Sequence, residues 1–181
     1  MSKIFVTSDT HFNHKNILEY CPNRKYGSLE EMNGDMLRIW NETVAPEDTV
    51  YFVGDFAMGP KDQHIVFLNS LHGFIRIVPG NHDRYIVKLA KQGLLPPHVE
   101  LLPEIYNLRI SNTYYILCHF PIHEWEGMAG HRSDAIAGSI HLHGHTHGNL
   151  GKKSAPDRER YDIGWDVFGK PIELNGTLPG N

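Results

Sequence analysis

Two histidines separated by one residue, His145 and His147, follow Gly144 and the strand-like run Ser139-Ile140-His141-Leu142-His143. On an extended chain, residues i and i+2 point to the same side, so both imidazoles can face one place. Neutral imidazole is the commonest metal ligand near neutral pH. Taken alone, such a pair reads equally well as surface or core histidines. Four further segments repeat the pattern of an apolar run that ends in a ligand-type residue. Lys3-Ile4-Phe5-Val6-Thr7-Ser8 precedes Asp9-Thr10-His11, again an i and i+2 pair. Thr49-Val50-Tyr51-Phe52-Val53 precedes Gly54-Asp55, and Phe74-Ile75-Arg76-Ile77-Val78 precedes Pro79-Gly80-Asn81-His82-Asp83. Tyr114-Tyr115-Ile116-Leu117-Cys118 precedes His119. Ligand sites of open α/β sheets gather at the carboxyl ends of strands. Each residue has an ordinary alternative: Asp55 as a turn cap, Asn81 at a positive-φ turn position, His119 as a satisfied core histidine. Together, these strand ends point to one constellation.

The candidate ligands Asp9, His11, Asp55, Asn81, His119, His145 and His147 supply oxygen and nitrogen but no thiolate. Such a set favours Mn, Fe, Zn, Co or Ni over an iron–sulfur or thiolate zinc site. It is too large for one tetrahedral ion. Two divalent transition metals sharing a bridging carboxylate fit better, and metals paired about 3.5–4 Å apart are a recurring device in phosphoryl chemistry.

In this order, Asp9-x-His11, Gly54-Asp55, Gly80-Asn81-His82-Asp83, His119 and Gly144-His145-x-His147 resemble the motifs of the calcineurin-like metallophosphoesterases, with all five blocks intact between positions 9 and 147. More loosely, Asp9-Thr10-His11-Phe12-Asn13-His14-Lys15-Asn16-Ile17 and Asp162-Ile163-Gly164-Trp165-Asp166-Val167 are similar to stretches of the small, capless phage and bacterial members. The resemblance implies that Asp9, His11 and His147 hold one metal, that Asn81, His119 and His145 hold the second, and that Asp55 bridges them. Manganese is the expected metal, with Fe, Zn, Ni or Co as alternatives. The resemblance also implies hydrolysis of a phosphate ester by a metal-bridging hydroxide, with Asn81 offsetting phosphoryl charge and His82 donating toward the leaving oxygen. Asp83 either orients His82 or caps the helix that follows, and the cap is the favoured reading. His14, Arg24, His123, His131 and Arg132 lie near motif loops. They are solvated surface residues or hold a second phosphate or a base, the first being the plainer reading.

A length of 181 residues points to one domain. A chain of this size can bury about 70% of its unfolded surface without a staple. Apolar content of 40% and charged content of 21% are globular values. A net charge of −4 speaks against an extended nucleic-acid surface. The expected partner is a small phosphorylated substrate, a phosphodiester or nucleotide-like ester. Lys15, Arg24 and Arg132 supply enough local charge for one extra phosphate. A nuclease of short oligonucleotides, a phosphomonoesterase and a non-catalytic scaffold are the rivals. Cys21 and Cys118 make no disulfide framework. The apolar run Ile4-Phe5-Val6 is too short for a signal peptide and no stretch approaches a membrane span, so the expected location is the cytoplasm.

The elements that must position the site are legible from periodicity. Ser28 and Glu31 have capping-box spacing, and Leu29, Met32, Met36, Ile39, Trp40 and Val44 form one apolar stripe. Further helices are expected over Lys61 to Leu71, with Ile65, Leu68 and Leu71 facing the sheet, and after Asp83, with Ile86, Leu89 and Ala90 inward. Pro96-Pro97 opens an all-β second half with strands over Val99–Leu102, Ile105–Ile110, Tyr114–Cys118, Ser139–His143, Arg160–Ile163 and Pro171–Leu174. Both halves contribute site residues. This argues for an α/β (α+β) domain over 1–174, two mixed β-sheets face to face with helices outside in a four-layer αββα sandwich. Gly127 to Gly138 is an irregular interior stretch, and 175–181 a loose tail.

Overall fold

The apolar runs become strands buried on both faces, which is why they read as continuous rather than alternating. The computed structural model describes residues 2–125, 138–154 and 159–175. Its first sheet has the order β4-β3-β2-β1-β9. Strands β1 (Ile4–Thr7), β2 (Thr49–Val53), β3 (Phe74–Val78) and β4 (Val99–Leu101) run parallel, and β9 (Ile172–Glu173) closes the edge antiparallel to β1. The second sheet has the order β5-β6-β7-β8, from β5 (Ile105–Ile110), β6 (Thr113–Cys118), β7 (Ile140–His143) and β8 (Arg160–Asp162). Its β5–β6 pair is antiparallel and the rest parallel.

Successive side chains serve opposite cores. Val6, Tyr51, Val53 and Val78 meet Tyr115, Leu117, Ile140 and Leu142 between the two sheets. Phe5, Val50, Phe52, Ile75 and Ile77 face the helices. Helix α1 (Ile17–Tyr20) is short. Helix α2 (Leu29–Thr43) begins at Ser28, whose Oγ accepts from the Glu31 amide at 3.1 Å. The Glu31 carboxylate returns to the Gly27 amide at 2.7 Å, one residue earlier than a capping box requires. Met32, Met36 and Trp40 are fully buried on its inner face. Helices α3 (Lys61–Ser70) and α4 (Arg84–Lys91) bury His64 with Leu68, and Ile86 with Leu89. Ile65 and Ala90, expected inward, are only half-buried. His64 replaces Ile65 in the core because its two ring nitrogens reach the Pro60 and Ala57 carbonyls at 3.1 and 3.0 Å.

Two mixed sheets face to face with helices outside match the expected architecture. Among the described residues, the helical layer lies on the first sheet, and Trp125 lies against His141 on the outer face of the second. The second half is not wholly β, since α5 (Trp165–Phe168) follows β8 and buries Trp165 beside α2. No helix among the described residues is long and apolar enough to cross a membrane. The irregular stretch over 127–137, the tail beyond residue 175, and with them His131 and Arg132, lie outside the described residues.

Candidate metal centre

All seven candidate ligands sit just beyond the carboxyl ends of β1, β2, β3, β6 and β7. The i and i+2 pairs converge for a different reason than pleating. Asp9 and His11 lie past the end of β1, and His145 and His147 past the end of β7. Their backbones are left-handed, with φ of 56°, 49°, 67° and 49°, and Asp55 joins them at 61°. Tight loops, not strands, turn these side chains together. The loops are pinned by parallel-type bonds from the Asp9 amide to the Gly54 carbonyl at 2.9 Å and from the His11 amide to the Asp55 carbonyl at 3.1 Å. Two glycines let them close. A Cβ on Gly54, itself at φ 84°, would stand 2.5 Å from His119 Nδ1 and 2.8 Å from the Gly80 Cα. A Cβ on Gly144 would collide with an Asp9 carboxylate oxygen and the Ser8 hydroxyl.

The side chains form two groups. Ligand atoms of Asp9, His11 and His147 lie within 4.8 Å of one another, as do those of Asp55, His119 and His145. Asp55 Oδ2 stands between them, 3.5 Å from His11 Nε2 and 3.3 Å from His119 Nε2. Asn81 Oδ1 is 3.1 Å from His119 Nε2. Both ring nitrogens of His11 are buried and have no hydrogen-bond partner. Leaving buried polar atoms unmatched is costly, and this imidazole, turned toward two carboxylates, suits a cation.

His119, His147, Asp55 and Asp9 are tied down through neighbouring hydrogen bonds. His119 Nδ1 donates to the Val53 carbonyl at 3.0 Å, which leaves Nε2 free to ligate. His147 Nδ1 donates to Asp166 Oδ2 at 2.7 Å. Asp55 Oδ1 accepts from the His82 amide at 2.9 Å. The Asp9 carboxylate accepts from Ser8 Oγ at 2.6 Å and from the His145 amide at 3.0 Å. Asp162 accepts from Thr146 Oγ1 and from the Gly148 and Gly164 amides, clipping the loop that carries His145 and His147.

The buried charges of these side chains shift one another. Burial pushes Asp9 up to about 7, only partly relieved by His119 and His147. Burial also opposes ionisation of Asp55, but the His119 hydrogen bond and the charges of His119 and His11 prevail and hold it at about 2. Burial is likewise outweighed at His119, raised to about 9 by Asp55 and Asp9, and at His147, raised to about 10 by Asp166, Cys21 and Asp9. Burial keeps His11 well below the usual histidine range.

Two expectations are corrected here. Asp83 does not cap α4 with its side chain, nor is it bonded to His82. Its carboxylate accepts from the amides of Asp55, Phe56 and Gly80 at 2.8, 2.9 and 2.8 Å, joining the β2 and β3 loops. Arg24 is neither a solvated surface residue nor free for a second phosphate. Its buried guanidinium pairs with both oxygens of Asp166 at 2.7 and 2.8 Å and donates to the Thr10 and Asp9 carbonyls. His14 does border the centre, its ring 5.3 Å from that of His11 and 6.1 Å from that of His82. Lys15 and His123 are exposed.

His82 is partly exposed, its Nε2 3.9 Å from Asp55 Oδ2. Two clefts diverge at Asn81. One, of about 400 Å³, is lined by Met58, Gly59, His82, Arg84 and Tyr85 as well as Asn81. The other, of about 550 Å³, runs past His119 and Phe120 toward Ile105. Arg84 borders both, a cation that motif spacing did not single out. Asp162 and Asp166 were visible only as part of a family-like stretch. Burial and long-range pairing, not local pattern, define their roles.

The chain matches the calcineurin-like phosphoesterase model over residues 2–138. It is 42% identical over 87 residues to an uncharacterized protein of Methanocaldococcus jannaschii, an alignment spanning 47% of this chain and 49% of that protein. It is 28% identical to the gene 66 protein of Mycobacterium phage L5, over 95% of this chain and 90% of that protein. A crystal structure of a protein of unknown function from Aquifex aeolicus shares the fold, with a TM-score of 0.70, 21% identity and 96% of each chain covered.

Proposed function

As this chain belongs to the calcineurin-like phosphoesterase family, hydrolases acting on phosphate ester bonds, we propose that it cleaves a small phosphodiester or nucleotide-like ester at a pair of divalent transition metals. The observation that carries the pairing is the single oxygen Asp55 Oδ2, shared at 3.5 and 3.3 Å between histidines of two separate ligand groups. Asp9, His11 and His147 would hold one ion, Asn81, His119 and His145 the other, and Asp55 both. Manganese is the first choice, with Fe, Zn, Ni or Co as alternatives that the same thiolate-free donors accept. Bound cations supply Lewis acidity, an activated water near neutral pH and neutralisation of phosphoryl charge.

The chain's own residues do the rest. Asp55 stays anionic through its contacts with His119 and the His82 amide. Asn81, at the junction of the two clefts, orients the phosphoryl group. His82, at the mouth of the first cleft, donates a proton or hydrogen bond from Nε2 toward the leaving oxygen, a role typically worth about 10²–10⁴ in rate. A small substrate fits the size of the clefts and a net charge of −4, which opposes broad docking of polyanions. With Arg24 committed internally, Arg84 is, among the described residues, a cation that lines both clefts.

Elemental analysis of manganese-reconstituted protein, combined with hydrolysis of bis-p-nitrophenyl phosphate and of 2′,3′-cyclic nucleotides, tests this reading. Two metals per chain and turnover with weak salt dependence are expected. Saturation at one metal refutes the paired centre. Efficient cleavage of long nucleic acid with affinity falling steeply in salt refutes the substrate class.

A further inference from the structure

The cleft beyond His119 is unlike the rest of the centre. Its walls are Pro79, Val87, Ile105 and Phe120, with Cys118 behind them. Phe120 is 45% exposed and Ile105 54% exposed, large apolar side chains left open to solvent beside a polar site. They are brought together by register: Ile105, the first residue of β5, pairs with Cys118, the last residue of β6, and Phe120 lies two residues further on. The Phe120 ring packs edge-on against both His119 and His145, with centroids 5.2 and 4.8 Å apart. The same side chain therefore supports two candidate ligands and offers its outer surface to whatever lies on them. The opposite cleft holds His82, Met58 and Tyr85. Since His82 is the proton donor assigned to the leaving oxygen, the departing group occupies that first cleft. The substituent that stays on phosphorus is then directed past Asn81 into the second. At the rim of the second cleft Arg84 and Glu104 both appear, so it offers no net positive charge for a second phosphate.

We propose that the cleft of Pro79, Val87, Ile105 and Phe120 holds the substituent retained on phosphorus, and that it selects an uncharged, flat, apolar group such as an aryl ring or a nucleobase-bearing moiety. This rests on the phosphodiesterase reading and deepens it. An aromatic contact of this kind supplies about tenfold in affinity when the ring leaves water for an apolar wall. It acts on the retained group, so its effect is independent of leaving-group chemistry.

The test holds the leaving group constant. Phenyl p-nitrophenyl phosphate and methyl p-nitrophenyl phosphate release the same nitrophenolate, and the readout is the ratio of their kcat/KM values. The manganese-loaded enzyme is expected to favour the phenyl ester by about tenfold, mainly through KM. Ile105→Ala truncates an exposed wall residue of the cleft, and it should pull the ratio down several-fold. Val87→Glu should do so more strongly by placing a charge in the cleft. A ratio near one in the unaltered enzyme, or a ratio that Ile105→Ala and Val87→Glu leave unchanged, overturns the proposal. Binding of diphenyl and dimethyl phosphate, followed by calorimetry on the same loaded protein, separates the two readings. Preferential binding of the diphenyl ester, lost in Val87→Glu, with no hydrolysis of either nitrophenyl ester would sustain the cleft and reject the phosphodiesterase. Equal binding of the two esters would reject the cleft whatever the turnover.

Discussion

Replacing Asp166 by Asn isolates one polar strut from the chemistry it supports. Asp166 joins three segments: Arg24 grips both of its oxygens, His147 donates Nδ1 to it at 2.7 Å, and Arg24 also holds the carbonyls of Asp9 and Thr10. The Arg24 and Asp166 side chains are 3% and 1% exposed, so solvent cannot replace a lost partner. Asn keeps the shape but removes the charge, leaving a buried guanidinium uncompensated. Breaking a buried pair from one side costs about 3–5 kcal/mol, which for a chain of this length lowers Tm by roughly 6–20 °C. His147 also loses the acceptor that fixes its ring, and loss of such a partner typically weakens metal affinity by about 10–100-fold. The weakening should fall on the ion held by Asp9, His11 and His147 and spare the other. Denaturation of the metal-free protein and a two-site manganese titration measure both effects. The double replacement Arg24→Met with Asp166→Leu should recover much of the stability but none of the metal affinity. Acid supplies an independent check. Asp166, where burial is outweighed by Arg24 and His147, is held at about 2, below its ordinary 3.8. Its contribution is complete above about pH 4 and drains away as pH falls toward 2. A stability change under about 1 kcal/mol, with two unchanged metal affinities, would refute the strut.

Three other outcomes are expected. Asp55→Asn should weaken binding of both metals and abolish turnover while far-ultraviolet circular dichroism stays near that of the parent; two normally bound metals and retained activity would remove Asp55 as the bridge. His82→Ala should keep its metals and lose about 10²–10⁴ in rate, with a smaller loss for nitrophenolate esters; an equal loss for poor and good leaving groups would reassign it to phosphate binding. In the metal-free chain His119 and His147 are raised to about 9 and 10. Their stabilising contribution is full below about pH 6.5 and disappears as pH rises through those values, while metal loading displaces their protons. Apparent manganese affinity should therefore climb with pH toward 9, with proton release visible by calorimetry in buffers of different ionisation enthalpy; a flat profile between pH 6 and 9 would contradict this.

The strands and the long helix could be read from the chain because their causes are local. Val50 to Val53 is an uninterrupted apolar run, and Ser28 with Glu31 marks where α2 starts. Helices α1 and α5, four residues each, are too short to show a period. The candidate ligands were legible as residue types at strand ends, but the reason they converge was not. Pleating was the expected cause, and left-handed loops are the observed one. Asp83 and Arg24 were misjudged for a shared reason. Beyond the nearby Gly80 amide, the partners of Asp83 lie 27 and 28 residues away, and the carboxylate that pairs with Arg24 lies 142 residues away. Nothing in local spacing reports a partner at that distance. Arg84 was overlooked because an exposed arginine at the start of a helix is ordinary until a cleft is seen beside it.

The left-handed backbone at Asp9, His11, Asp55, His145 and His147 also sets an evolutionary direction. Each non-glycine residue in that region carries a penalty of about 1 kcal/mol or more relative to glycine, so the ligand loops sit uphill of what the same backbone would cost with neutral occupants. Mutations that abandon a ligand for glycine relax the loop as they destroy the site. Within this architecture, drift toward an inert but sturdier scaffold is thermodynamically easy, and keeping every one of these side chains requires continuous selection for what they do together.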